Sequence, residues 1–231
     1  MEKPICWICG TVADTHEHTI KRSDVSAVLG KITQNSPAYL HNERQRNKII
    51  QSDNSISLKA KSPICNACNS NLTQPYDLAW DQMSCWLRAN ETSLEQRTSF
   101  RANPIFPYDT KASLLRVHLY FVKLFGGQLV DSGAKTDTSI YAKSLREGIA
   151  NPKFYFGIGA SMTDRPVLEV GHLEVWESAG SVNIARNAVV LGNIAVLMCH
   201  ADAGHEPMYL ENFWHPKLNT SKFTILKKAP E

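Results

Sequence analysis

Two Cys-x-x-Cys pairs, Cys6/Cys9 near the start and Cys65/Cys68 far downstream, constrain this chain more than any other feature. Four thiolates at that paired spacing suit one tetrahedral Zn²⁺, because each pair wraps a tight knuckle and chelates through adjacent sulfurs. The expected clamp is structural, and the residues it brackets are the place to look for chemistry. Glu17 and His18 lie between the two pairs, and Asn69 follows the second pair directly.

The cysteine reading depends on the redox setting. Met1-Glu2-Lys3-Pro4 leads straight to Cys6 with no apolar run, which predicts no secretory leader and a reducing, cytoplasmic location. Six cysteines in such a compartment argue for metal binding rather than disulfides, and four of them have the spacing for it. Cys85 and Cys199 have no chelating neighbour and read as small buried hydrophobes. The set Cys199, His200, His205 and His215 is too irregular for a second metal site and reads as core and surface residues.

At 231 residues and 43% hydrophobic, the chain can bury a sizeable core and reads as a soluble globular protein. Its formal charge is +3, and four thiolates around one Zn²⁺ reduce that to about +1. The distribution is more telling. Between Lys21 and Lys61 there are eight basic residues (Lys21, Arg22, Lys31, Arg44, Arg46, Lys48, Lys59, Lys61) against Asp24, Glu43 and Asp53. A patch of this kind can neutralise backbone phosphates, with Arg22, Arg44 and Arg46 as candidate contacts, or it can be an ordinary solvated loop.

Residues 102 to 109 carry two prolines and divide the chain into an expected N-terminal unit, 1–104, and an expected C-terminal unit, 105–231. The fold class expected is α+β. In the first unit, Thr15 to Ile20 reads as a short strand or turn, Ser55 to Ala60 as a strand, and Asn66 to Leu72 as a short helix interrupted at Pro75. Asp77 is the expected cap of a second helix carrying Ala79, Met83, Trp86 and Leu87 on one face. The second unit reads as helices over 112–130 and 139–149, then strands over 154–160, 167–176, 182–190, 194–199 and 223–226, forming an antiparallel sheet. The apolar stretch 188–198 is broken by Gly192-Asn193 and is too short to span a bilayer, so no membrane partner is expected.

Glu17-His18-Thr19-Ile20-Lys21, followed by Cys65-Asn66-Ala67-Cys68-Asn69, resembles the HNH endonuclease family, whose ββα-metal fold can carry a four-cysteine, treble-clef-like zinc staple. The resemblance covers about the first 90 residues. It implies that His18 is the general base and that Glu17 and Asn69 hold a catalytic Mg²⁺ or Mn²⁺. DNA is the implied substrate, and a possible homodimer would cut both strands. At the family's middle position this chain has Ala60, so the residue that orients His18 is open between Asn54 and Asn66. His16 and His41 are further imidazoles near the motif.

These residue types suit phosphodiester hydrolysis. A neutral imidazole takes a proton from water near pH 7, and hard oxygen donors hold a cation on the scissile phosphate. The competing expectation is a non-catalytic zinc module that binds nucleic acid or protein.

Overall fold

A computed structural model describes residues 3–41, 46–160, 168–178 and 180–227. Arg44, with the rest of 42–45, and Val167 lie outside the described residues.

The N-terminal part opens with the first cysteine knuckle, followed by β1 (Thr15–His18), α1 (Arg22–Leu29), and a hairpin of β2 (Ala38–Leu40) and β3 (Lys48–Ile50). Next come β4 (Lys59–Ile64), the second knuckle, a π-helical turn over Ala67–Leu72, α2 (Gln74–Ala89), α3 (Glu91–Glu95) and β5 (Ser99–Arg101). β1 and β4 pair antiparallel, giving a strand pair followed by a helix. The strand expected over 55–60 starts later. Ile56 is exposed, and the Ser55 hydroxyl accepts from Ser57 N–H to cap a 3₁₀ turn over Ile56–Leu58, so extended pairing begins only at Lys59. Pro75 does not interrupt α2 but sits in its first turn, where the missing N–H has no intrahelical partner to lose, and Asp77 therefore lies inside the helix rather than capping it.

The C-terminal part contains α4 (Thr110–Ser132), α5 (Ser139–Glu147), β6 (Phe154–Ala160), β7 (Leu168–Val170), β8 (Glu174–Ser178), β9 (Ser181–Leu191), β10 (Ile194–Ala201) and β11 (Lys222–Leu226). They build a seven-stranded, mostly antiparallel sheet in the order β5-β11-β6-β10-β9-β7, with β8 also on β9 and only β11 and β6 parallel. Gly192 at φ 66° makes the tight β9–β10 turn. The run expected as one strand over 167–176 is two short strands, both on β9 and separated by Gly171 to Leu173, where the Gly171 N–H still reaches the Ala188 carbonyl. The α+β class holds.

The two expected units share one core. β5 lies before residue 105 yet pairs with β11 at the far end of the chain, and the buried apolar cluster runs without a break from Ile8 and Ile64 through Trp80 and Phe121 to Val196 and Phe223. Its axis is α4, which is buried on nearly every side, as a helix apolar all round must be. Gly126 on α4 admits Trp7 of the first knuckle: a Cβ there would stand 2.7 Å from Trp7 Cη2. No helix among the described residues is long and apolar enough to cross a membrane.

Three histidines are locked inside this core. His118 Nε2 accepts from the Asn151 N–H, His215 Nε2 donates to the Asn151 carbonyl, and His200 Nδ1 meets the Tyr141 hydroxyl at 2.8 Å. Burial holds all three pKa values below the ordinary imidazole value. Below about pH 6.5 the unfolded chain takes up protons that the folded one refuses, so stability is lost as pH falls through that value. The unfolding free energy is expected to fall from pH 7 to pH 5 by up to roughly 1.4 kcal/mol per pH unit for each histidine, and the melting temperature with it. His118→Phe should flatten that slope in thermal melts at fixed ionic strength.

Candidate metal centre and the adjoining Glu17–His18 site

The two knuckles are built by local turns and joined by the strand pair. In the first, Gly10 at φ 77° closes the turn, with its N–H on the Cys6 carbonyl at 2.9 Å and Cys6 N–H on the Thr11 carbonyl at 2.7 Å. In the second, Asn69 N–H reaches the Cys65 carbonyl and Cys68 N–H points at Cys65 Sγ. The strand β4 delivers Cys65 directly, while Trp7 N–H on the Pro63 carbonyl pins the first knuckle to the same strand end.

All four sulfurs therefore lie within 4.8 Å of one another, with Cys9 and Cys65 Sγ 3.6 Å apart. Sulfurs around a tetrahedral Zn²⁺ at about 2.3 Å stand about 3.8 Å apart, so the set can hold a metal ion such as zinc. The sulfurs differ in acidity. The Thr11 hydroxyl pulls Cys9 down to about 6, whereas burial and the neighbouring sulfurs push Cys68 far up. Four thiolates this close together, three of them buried and Cys9 at the surface, are stable only around a cation. Among the described residues no other group of three or more His, Cys, Asp or Glu side chains is placed to hold a metal, including Cys199 with its histidines. Cys199 is buried as expected, but Cys85 is exposed on α2 rather than in the core.

Glu17 and His18 sit one strand-length from the clamp, where the β1–β4 register breaks. His16 pairs with Pro63 but His18 with Lys59, so three residues of β4 stand opposite Glu17 alone. The two side chains line one cavity of about 30 Å³ with Trp7, Ser62, Lys123 and Gln128, room for a water or two. His18 Nε2 and Gln128 Oε1 are both enclosed without a protein partner. Burial lowers the His18 pKa, Glu17 partly offsets that, and Lys59 lowers it further, so the imidazole is neutral at pH 7. The nearby Asp53 main chain raises the imidazole pKa slightly, while neither Asn54 nor Asn66 hydrogen-bonds the ring; the Asn66 side chain instead accepts from Ser70.

Glu17 is already engaged. Its Oε1 accepts from His18 N–H at 3.1 Å, and its Oε2 lies 2.8 Å from Lys123 Nζ, whose other carboxylate partner is Asp77 Oδ1, also at 2.8 Å. Burial alone would lower the Lys123 pKa, but Glu17 and Asp77 more than offset it and raise it. Asn69, the other expected ligand, gives its carbonyl to the Thr73 hydroxyl and does not line the cavity. The residues present do not form an oxygen-lined seat for Mg²⁺ or Mn²⁺. Sequence reasoning missed Lys123, although a lone lysine within Leu119-Tyr120-Phe121-Val122-Lys123-Leu124-Phe125 is a visible signal that a buried charge has a partner elsewhere.

The remaining motif residues lie apart. His16 is exposed, with Nδ1 on the Ala60 carbonyl, and His41 accepts from Asn47 N–H in the β2–β3 loop. Part of the basic patch is neutralised internally, Lys21 by Asp81 at 2.8 Å and Arg22 by Asp53 at 3.0 Å, while Lys31 and Arg46 stay exposed. Compared with known proteins, the chain matches no family model, no curated protein and no solved structure.

One zinc per chain is expected by elemental analysis of purified protein. Cys68→Ser should lower the zinc content at least about tenfold and the melting temperature by more than about 5 °C. Equal zinc in the wild type and the variant would contradict the clamp.

Proposed function

We propose that the chain is an HNH-type phosphodiester hydrolase acting on nucleic acid, with DNA as the first substrate to test and His18 as general base. The observation that carries this reading is the imidazole itself: neutral, with Nε2 enclosed and unpartnered, on a residue that lines a cavity large enough for water. The strand pair followed by a helix and the adjoining four-cysteine set support the same reading. A water held against Nε2, with Gln128 Oε1 as its second anchor, gives its proton to His18 as its oxygen attacks phosphorus. The 3′ oxygen leaves with the bonding electron pair and takes a proton from solvent. The exposed Arg46 and Tyr39 on the β2–β3 hairpin offer charge and a stacking face to a nucleic-acid strand.

A second reading rests on a specific observation. The cavity is far smaller than a nucleotide and Glu17 is sequestered by Lys123, which favours a zinc-stapled binding module without catalysis.

Nicking of supercoiled plasmid separates the two. His18→Ala should cut nicking at least about 100-fold while zinc content and melting temperature stay at wild-type values. The wild-type rate should be flat from pH 7 to 8 and fall in acid, below an inflection lying under 6.5, because protonation removes the base. Nicking that is absent, or unchanged by His18→Ala, leaves the binding-module reading.

A further inference from the structure

We propose that Lys123 is the resident cation of the Glu17 site, and that Glu17 binds no divalent metal in this chain. The inference rests on the hydrolase reading only for its activity readout; its binding readout stands alone.

The geometry leaves the metal no place. Lys123 Nζ is 2.8 Å from both Glu17 Oε2 and Asp77 Oδ1 and 3.4 Å from Thr73 Oγ1, so three oxygens from β1, α2 and the turn before it surround one ammonium. That is a cation site already filled by a side chain. A Mg²⁺ ion bound to the same Glu17 oxygen at about 2.1 Å would crowd against the ammonium, like charge against like charge in a pocket with little water.

Lys123 also has nowhere to go. Its side chain is 1% exposed, and Val122 and Leu124 on either side are buried in the core of α4. Moving the ammonium out would leave Glu17 and Asp77 facing each other uncompensated, which a buried site does not tolerate. The neighbouring charges reinforce the arrangement. Lys21 Nζ donates to the Asp77 carbonyl at 2.7 Å and pairs with Asp81, so both cations around Asp77 are lysines. Asn69, which would complete a metal shell, does not line the cavity.

Lys123 is thus a positioning residue. It fixes Glu17, whose Oε1 holds the His18 main chain, and it supplies the local positive charge expected from Mg²⁺ or Mn²⁺.

The test is a Mn²⁺ titration followed by electron paramagnetic resonance on the full-length, zinc-loaded protein. The wild type is expected to show no Mn²⁺ site tighter than about 1 mM. Lys123→Met should create one, at least about tenfold tighter, and adding Glu17→Gln should remove it. A wild type that binds one Mn²⁺ and loses it in Glu17→Gln overturns the proposal, as does a folded Lys123→Met that gains no site. The wild-type and Glu17→Gln titrations need no change at Lys123, so they decide the matter even where Lys123→Met does not fold. Plasmid nicking unaffected by EDTA, with zinc retained, supports the proposal; nicking that requires Mn²⁺ overturns it. A chain that never nicks sinks the hydrolase reading and leaves the titration as the judge of Lys123.

Discussion

One ammonium without solvent ties three elements of this protein together. Lys123 projects from the central helix α4, and its two carboxylate partners come from β1 and α2. Losing one member of a buried ion pair costs about 3–5 kcal/mol, because the charge left behind keeps its desolvation penalty. A mobile β1 would therefore be expensive. The end of β1, where His18 sits, is held by this triad on one side and by pairing with β4 on the other. The contact is also why the strand pair does not form a separate unit: its carboxylate is neutralised from the C-terminal part of the chain.

The cysteine clamp works on the same strands from the opposite end. Cys65 follows β4 without a gap, and Trp7 from the first knuckle packs against α4 where Gly126 leaves room. A bound ion would fix both knuckles, hence the end of β4, hence its register against β1. The register break at Glu17 lies between two anchors, the sulfur cluster at one end and the His18–Lys59 pair at the other. Bulged pairings cluster where a side chain must be re-aimed, and here consecutive residues line one cavity, which regular alternation would forbid.

Much of the scaffold was legible in the sequence because the signals were local. The four cysteines assemble as their spacing implied, and β6 begins and ends where an apolar run bounded by turn residues placed it. The long helix α4 followed from its apolar periodicity. What failed was long-range or weakly patterned. The hairpin β2–β3 has three-residue strands, too short for any alternation to register, and α1 is only eight residues long with polar residues at half of its positions. β5 exists only because β11 returns to it. At the site, Glu17 and His18 were found from a motif, but their partners were not. Lys123 and Gln128 come from α4, and neither is linked to residue 17 by any spacing rule.

The distinction matters for how such a site is assigned. A motif names ligands and bases by type and order, yet whether a carboxylate binds a metal depends on what else is near it. In this chain the nearest cation to Glu17 is covalently part of the protein, so it is present at full occupancy at any metal concentration. An external ion would have to outbid an intramolecular partner that pays no cost of association and is already desolvated. Charge balance, rather than the identity of residues 17, 18 and 69, is what decides between a metal-bound centre and a lysine-bound one. The buried lysine in the middle of an apolar helix is the sequence feature on which that decision turns.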